Sequence, residues 1–111
     1  MLARTYLTME FNHDINIDQQ ELKVSAEVLR ALAHPLRMRI LEFIDRNKEI
    51  NVNKIYSTLD LEQSITSQHL RILRSAGLVD TERNGKFIYY SLRYGKLINT
   101  KIAVERFLQQ Q

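Results

Sequence analysis

Residues 59–90 read LDLEQSITSQHLRILRSAGLVDTERNGKFIYY, and this stretch decides the fold. It contains a short turn, a helix with one polar and one apolar face, and two strand-like runs joined by Asn84-Gly85. That order predicts a helix-turn-helix followed by a two-stranded wing. The expected fold class is therefore mainly α with a small β-hairpin, a winged helix-turn-helix. Such a fold favours binding to double-stranded DNA.

The helix within this stretch carries apolar residues on one side and hydrogen-bonding residues on the other. Ile65, Leu70 and Leu73 are expected to pack inward. Side chains of the polar type bond to base edges in a major groove or to the phosphates beside it. Taken alone, the polar side fits the solvated face of an ordinary surface helix equally well. The residues expected to face outward are Ser64, Ser67, Gln68, Arg71 and Arg74.

The segment in front of this helix favours the DNA-binding interpretation, because it predicts a helix of about two turns followed by a connection of helix-turn-helix length. The start of the second helix has two alternatives. If Asp60 and Gln63 form a capping box, Gln63 is tied back to the backbone; if Glu62 is the cap, Gln63 lies at the helix tip and can reach adenine. The apolar positions of the preceding helix are Val52, Ile55 and Leu59.

The wing follows directly, with Gly77 as the expected stop of the helix and Asn84-Gly85 as the two-residue turn of a hairpin. This turn brings Arg83 and Lys86 together, and two cations side by side repel each other unless a phosphate lies between them. We therefore expect both to contact the DNA backbone, against the alternative of two solvated side chains. Pairing outward from the turn gives Arg83 opposite Lys86, Thr81 opposite Ile88 and Val79 opposite Tyr90.

Charge is unevenly distributed along the 111 residues. Residues 1–63 hold 8 Lys or Arg against 10 Asp or Glu, whereas residues 64–111 hold 8 against 3. The half with the predicted helix and wing is the basic half, as expected of a DNA-binding protein. The chain has no cysteine, which excludes disulfides and thiolate metal sites, and no apolar run of membrane-spanning length. One small domain located in the cytoplasm is expected.

Three further helices are predicted around this centre. The first opens at a capping box of Asp18 and Glu21, the second runs from Pro35 to about Asn47, and the last covers residues 94 to about 109. Amphipathic helices at both ends of so small a domain indicate a partner. Their apolar faces are Leu22, Ala26, Leu29, Leu32 and Ala33 in the first, and Leu97, Ile98, Ile102 and Phe107 or Leu108 in the last.

Residues 1–17 fit no period and are expected to form a leader, in part disordered, ahead of a domain over residues 18–111. Met9 is an alternative start of the chain. The leader also holds one imidazole with two carboxylates nearby, but a dedicated metal site normally supplies four ligands, so no metal site is assigned there. The three side chains are Glu10, His13 and Asp14.

Three segments together resemble one known family. ALAHPLRMRILEFI at residues 31–44, LDLEQSITSQHLRILRSAGLV at residues 59–79 and RNGKFIYYSL at residues 83–92 are similar, in order and spacing, to ArsR/SmtB-type winged-helix transcriptional repressors. The resemblance implies a homodimer paired through its first and last helices, with two recognition helices in successive major grooves and repression of a nearby operon. It also implies a role for His69, as a structural or phosphate contact. The expected DNA-binding residues are Gln63, Ser64, Ser67, Gln68, His69, Arg71, Arg74, Arg83 and Lys86.

One position departs from the family's pattern, because Glu62 stands where a shorter capping residue is usual. An acidic residue at a helix start suits the helix dipole but repels an adjacent phosphate. DNA contacts at this end of the recognition helix are therefore expected to differ from those of relatives.

Many relatives release DNA when a metal binds, so the residues at the family's ligand positions matter. The cysteine pair of the thiolate site corresponds to Asn51 and Asn53, and neither can supply a thiolate. The zinc site of the last helix corresponds to Tyr94, Lys96, Phe107 and Gln110, which do not fit zinc coordination. The sequence predicts a metal-independent regulator without a cofactor, either constitutive or responsive to a small-molecule effector of unknown identity.

Two other functional classes compete with this prediction. A winged helix can serve as a protein-interaction module, since a fold does not fix a function, and that alternative predicts exposed apolar residues on the recognition face, where Ile65 and Thr66 are the positions to check. An enzyme is not indicated, because the sequence has no glycine-rich phosphate loop, nucleophile elbow or H-E-x-x-H run. The leading prediction is a sequence-specific DNA-binding regulator that acts as a repressor.

Overall fold

The computed structural model describes residues 8–10 and 16–109. His13, Asp14 and Gln110, which belong to the metal positions considered in the sequence, lie outside the described residues. The helices are α1 (Gln19–Leu32), α2 (Pro35–Asn47), α3 (Val52–Thr58), α4 (Gln63–Ser75) and α5 (Tyr94–Gln109). The strands are β1 (Thr8–Glu10), β2 (Asn16–Asp18), β3 (Glu49–Asn51), β4 (Val79–Asn84) and β5 (Phe87–Leu92). The predicted fold class, a mainly helical winged helix-turn-helix, is confirmed.

Two small antiparallel sheets accompany the helices. β1 pairs with β2 inside the segment expected to be a leader, and the second sheet has the order β3-β5-β4. β3 was not predicted, because three residues are too few to show a period of two and only Ile50 among them is buried. Ile50 lies opposite Tyr90 of β5, so β3 fastens the wing to the junction between α2 and α3.

One hydrophobic core holds the helices and the base of the wing together. It takes Ile40, Leu41 and Ile44 from α2. The contribution of α1 differs from expectation: Val28 and Ala31 are buried, whereas Leu29 of the predicted apolar face is 45% exposed. The apolar face of α1 therefore points partly away from the core. The remaining buried members are Ile50, Ile55, Leu70, Leu73, Leu78 and Val79.

The register of the wing corrects the prediction by two residues. Arg83 lies opposite Ile88 rather than Lys86, Thr81 lies opposite Tyr90, and Val79 lies opposite Leu92. The turn is Gly85-Lys86, and Gly85 takes a φ of 65° at its first position, which is the glycine placement of a type II′ turn. Because the shift is two residues and strand faces alternate with a period of two, every side chain keeps its predicted face.

The end of α4 is closed by Gly77, as the sequence predicts. The Gly77 amide donates to the Arg74 carbonyl at 3.0 Å and the Leu78 amide to the Leu73 carbonyl at 3.0 Å, the paired bonds of a Schellman motif. This motif requires the left-handed φ of 77° that Gly77 adopts. It turns the chain so that Leu78 and Val79 enter the core and start the wing.

Replacing Gly77 by alanine is expected to lower the free energy of unfolding by about 1–2 kcal/mol, because a side chain disfavours left-handed backbone. The nearest atom to an added Cβ is 3.8 Å away, so the cost is conformational rather than steric. Gly95 provides the matched control, since it lies in α5 with no atom within 4 Å of an added Cβ, and Gly95→Ala is expected to stabilise by up to about 1 kcal/mol. Urea unfolding followed by circular dichroism measures the free energy of unfolding of both variants. Equal effects of the two substitutions would contradict the assignment of Gly77 as the left-handed residue that ends α4.

Candidate nucleic-acid interface

The two helices of the predicted helix-turn-helix, α3 and α4, are joined by a tight turn. Asn51 caps α3 by accepting a hydrogen bond from the Lys54 amide at 2.9 Å. After α3 the chain passes through Asp60, whose φ of 55° is left-handed, and the Leu61 amide donates to the Tyr56 carbonyl at 2.8 Å. The Leu61 side chain packs against the core in the angle between the helices. The turn therefore fixes the orientation of α4 relative to α3.

The start of α4 decides between the two capping alternatives in favour of Glu62. Glu62 is the N-cap residue and Gln63 is the first residue of the helix. The Glu62 side chain makes no hydrogen bond to the backbone of the first turn; instead its carboxylate accepts from the Ser64 hydroxyl at 2.9 Å. Gln63 is exposed and is not part of a capping box with Asp60. Its amide is at the helix tip, the arrangement in which it can reach a base.

The inward face of α4 contains one correction. Leu70 and Leu73 are buried as predicted, but Ile65 is 41% exposed and the fully buried third member is Thr66. The Thr66 hydroxyl donates to the Glu62 carbonyl at 2.9 Å, which satisfies its polar group inside the core. Positions 66, 70 and 73 are at the same helical spacing as an apolar stripe. The sequence pattern placed Thr66 with Ile65 among the positions to check on the recognition face, and of the two only Ile65 is exposed.

The outward face of α4 holds most of the residues expected to contact DNA. Ser67 is half-buried at the edge of this face, and Ile65 is its exposed apolar member in the first turn; Ile72 is also exposed but lies in the third turn, away from the tip of the helix. All cations of the face are exposed and none has an ion-pair partner among the described residues. The exposed polar members are Gln63, Ser64, Gln68, Arg71 and Arg74.

The tip of the wing carries the other two predicted contacts, Arg83 and Lys86, and both are exposed. The corrected register removes the direct cross-strand repulsion on which the phosphate prediction was based, since Arg83 faces Ile88. The Lys86 ammonium lies 5.5 Å from the centre of the Phe87 ring, a cation–π arrangement. The wing therefore presents two exposed cations near its end that do not lie directly opposite each other across the strands.

His69 occupies the inner edge of α4, and its ring lies beside that of another histidine in a tilted arrangement. Its ring centre is 4.8 Å from that of His34, with 60° between the ring planes. His34 is the N-cap of α2, where its Nδ1 accepts from the Leu36 amide at 3.2 Å. Burial lowers the pKa of His69 below its usual 6.5, and the charges of His34 and Arg37 act in the same direction. His69 is thus placed to join α4 to the start of α2 as a neutral ring.

This geometry predicts a loss of stability in mild acid. Because the pKa of His69 is lower in the folded chain than the unfolded value of 6.5, the unfolded chain binds more protons there, and stability falls as the pH drops below 6.5. His69→Gln is expected to lose less of its melting temperature than the wild type between pH 7.5 and pH 5.5. An identical loss in both proteins, measured by thermal melting at one protein concentration, would show that His69 does not contribute.

The first turn of α5 is anchored to the domain by two side-chain contacts. Arg93, just before the helix, pairs with Asp80 of β4 at 2.8 Å. The Tyr94 hydroxyl donates to the Asp45 carboxylate of α2 at 2.5 Å, and this hydrogen bond raises the pKa of Tyr94. Leu97 still packs on the core. Four later apolar residues of the helix are exposed, namely Ile98, Ile102, Val104 and Leu108.

The family's metal-ligand positions hold side chains with other tasks. Asn51 is engaged as the cap of α3 and Tyr94 as the anchor of α5, while Lys96 is a cation. Within residues 16–109, no three His, Asp or Glu side chains are grouped closely enough to hold a metal ion. The donor set therefore does not fit the zinc or thiolate sites of the family.

Comparison with known proteins identifies the family. A family model described as a helix-turn-helix domain matches residues 32–82. The transcriptional repressor PagR of Bacillus anthracis is 37% identical over 84 residues, covering 76% of this chain and 84% of PagR. The chain belongs to the ArsR/SmtB family of winged helix-turn-helix regulators. The family consists of DNA-binding transcriptional regulators, so the chain is a DNA-binding regulator and not an enzyme.

Solved structures agree with this assignment. The crystal structure of PagR matches with a TM-score of 0.62 at 35% identity, covering 76% of this chain and 97% of that one. The structure of NolR from Sinorhizobium fredii matches with a TM-score of 0.66 at 33% identity, covering 79% and 87% of the two chains. The repressor SmtB of Mycobacterium tuberculosis is 39% identical over 71 residues, 64% of this chain, which corresponds to 52% of SmtB.

In the described part of the chain, no helix has the length and apolar character needed to cross a membrane.

Proposed function

We propose that the chain is a sequence-specific repressor that binds double-stranded DNA as a homodimer, with the outward face of α4 from each subunit in successive major grooves. The observation that carries the proposal is the surface of α4, which combines exposed Gln63, Gln68, Arg71 and Arg74 on a helix whose opposite side is locked in the core. Glutamine pairs with adenine and arginine with guanine in the major groove. Relatives named as repressors, PagR among them, support the direction of regulation.

The outward side chains of α4 are assigned to different parts of the DNA according to their position along the helix. Gln63, Ser64 and Gln68 occupy the first two turns, which enter the groove first in helix-turn-helix proteins, and are assigned to base edges. Arg71 and Arg74 lie further along and are assigned to phosphates or guanine. Ser67 and His69, which are half-buried, are assigned to the boundary between the groove and the domain.

The wing is assigned to the DNA backbone. Arg83 and Lys86 are exposed at the end of a stiff two-stranded arm that β3 fastens to the helical domain. Cations so placed contact phosphates, which position a protein on DNA without reading sequence. Their contribution is electrostatic and falls with salt concentration.

Dimerisation through α1 and α5, within the domain of residues 18–111, is supported by the apolar surface that these helices leave open. Val28 and Leu29 of α1 and Val104 of α5 line a groove of about 600 Å³ between the helices. The chain is also extended: its radius of gyration is 17.2 Å, against about 13 Å for a compact domain of this length. A second copy packed on α1 and α5 would cover the groove and restore a compact particle.

The regulator is proposed to act without a metal, because the family's ligand positions hold an amide cap, a tyrosine anchor and a lysine. Release from DNA is then either absent or driven by a small molecule, whose identity the site does not define. Since a DNA-binding regulator acts where the DNA is, the proposed location is the cytoplasm.

Selection of bound sequences from a random duplex pool tests the proposal. A two-fold symmetric site should emerge, with half-sites about 10 base pairs apart or a multiple of that spacing, and the protein should sediment as a dimer. Equal weak binding to selected and scrambled duplexes would overturn sequence specificity.

Gln68→Ala is expected to cost about 1–3 kcal/mol on the selected site and to relax the preference at one base pair of each half-site. The reason is that the exposed Gln68 amide is assigned to a base edge. Gln109→Ala at the exposed end of α5 is the matched control and should leave the preference unchanged. Dissociation constants measured by fluorescence anisotropy on all single-base variants of the site decide this. A preference profile identical to that of the wild type would contradict a role for Gln68.

A further inference from the structure

Ile65 is an apolar side chain exposed in the first turn of the recognition helix. It is 41% exposed, whereas its neighbour Thr66 is fully buried. The inward side of α4 is already filled by Thr66, Leu70 and Leu73, all without exposed surface. The Thr66 hydroxyl donates to the Glu62 carbonyl, so its burial leaves that hydroxyl satisfied. Rotation of α4 to bury Ile65 would therefore expose better-packed side chains.

The position of Ile65 among its neighbours is specific. It lies three residues before Gln68, so the two side chains are adjacent along the helix surface, about 5–6 Å apart at Cβ. Ser64 and Gln63, the other exposed residues of the first turn, are polar. Ile65 is thus a single apolar contact point set among hydrogen-bonding groups at the end of the helix that enters the groove.

We propose that Ile65 contacts the 5-methyl group of a thymine in each half-site and is a specificity-determining residue. The inference rests on the proposed function, which it deepens by naming a base. In the major groove thymine is marked by its methyl group, an apolar feature that contacts apolar side chains. Base pairs are spaced about 3.4 Å along the helix axis, so the thymine lies one or two base pairs from the base read by Gln68.

A protein partner is a poorer occupant for this position. Protein-binding surfaces are contiguous apolar patches of several hundred Å², and the exposed residues around Ile65 are polar, with Ile72 two turns further along α4. A methyl group, in contrast, needs only one apolar side chain of this size. The surrounding amides and hydroxyls then bond to the polar edges beside it.

Replacement of single thymines by deoxyuridine in the selected operator tests the proposal, because it removes the methyl group and keeps every hydrogen-bonding group. For the wild-type protein, one position in each half-site should weaken binding by roughly fourfold, the value of burying one methylene-sized group. When both half-sites are changed, the factor by which binding weakens should approach the product of the two single-site factors. All other thymines should tolerate the replacement.

Two variants identify the side chain responsible. Ile65→Ala is expected to bind thymine and deoxyuridine operators equally well. Because Ile65 is exposed, the substitution should change the melting temperature little, so a clear shift in melting temperature would reveal a folding defect. Ile72→Ala, which also shortens an exposed isoleucine of α4, should keep the wild-type sensitivity. A flat deoxyuridine scan with the wild type, or the same sensitivity in Ile65→Ala, would overturn the inference while leaving sequence-specific binding intact. Failure of the pool to yield any preferred site would overturn both this inference and the proposed function, and saturable binding of a protein at Ile65 would favour the interaction module instead.

Discussion

Leu70→Ala is expected to lower the free energy of unfolding by about 2–5 kcal/mol, a large part of the 5–15 kcal/mol that is usual for a domain. Leu70 has no exposed surface and lies in the core that joins α4 to α2, α3 and the base of the wing. Alanine would leave a cavity there, since neighbouring side chains relax only partly around a deletion. The outward face of α4 would lose its support, so DNA binding should fall together with stability.

Ile72→Ala is the matched control for this prediction, because Ile72 is on the same helix and is 37% exposed. It removes an exposed aliphatic side chain and is expected to cost less than about 1 kcal/mol. Urea unfolding at one fixed protein concentration measures both, since the stability of an oligomer depends on concentration. Similar costs for the two substitutions would contradict the observed orientation of α4.

DNA affinity is expected to fall by about 10³–10⁵ between 50 and 200 mM salt, as for proteins that contact 6–10 phosphates. A dimer that places Arg71, Arg74, Arg83 and Lys86 of each subunit near the backbone falls within that range. Each phosphate contact contributes about 0.9 to the slope of log affinity against log salt concentration. Removing Arg83 and Lys86 from both subunits should therefore make the slope shallower by about 3–4.

Lys101→Ala provides the control for the wing substitutions. Lys101 is an exposed cation on α5, 3.4 Å from the Glu105 carboxylate, in a helix assigned to dimerisation. Its removal should leave the salt slope unchanged. The phosphate role of the wing would be refuted if the Arg83→Ala/Lys86→Ala protein kept the wild-type slope, or if Lys101→Ala reduced the slope equally.

The long helices could be predicted from sequence because period and capping agree in each. Pro35 and Asn47 bound α2 as predicted, and Gly77 ends the recognition helix. The amphipathic pattern also places the first and last helices, while the partner expected on their exposed apolar residues, Leu29 and Ile98, stays a prediction. Long periodic segments carry several agreeing signals, which is why these predictions succeed.

Three details could not be predicted from the same patterns. Ile65 and Thr66 are neighbours, so the sequence allowed two stripes about 100° apart, and only the burial of Thr66 with Leu70 and Leu73 selects one. The wing register depends on which two residues form the turn, and Asn84-Gly85 and Gly85-Lys86 both supply a glycine with the required φ. β3 consists of three residues and is defined by its partner strand rather than by its own pattern.

The role of individual side chains on the outward face depends on docking as well as on exposure. Ser64 is exposed, but its hydroxyl donates to Glu62, so a base would have to compete with that carboxylate. Glu62 thereby removes part of the hydrogen-bonding capacity of the helix tip. Of the groups assigned to bases in the first two turns, Ser64 is therefore the one that must first give up a hydrogen bond within the protein.

Site-directed DNA cleavage tests most directly whether the outward face of α4 enters the major groove. The chain has no cysteine, so Ser64→Cys creates a unique attachment point for an iron chelate that cleaves nearby DNA. Glu42→Cys is the control. Glu42 is exposed on α2, one turn before Asp45, and the Asp45 carboxylate contacts α5. Position 42 therefore lies on the side of α2 that faces α5 and not on the outward face of α4. Our account predicts two cleavage clusters from position 64, one in the major groove of each half-site, about 10 base pairs apart or a multiple of that, and none from position 42. Bound protein that cleaves equally from both positions, or from position 42 alone, would contradict it.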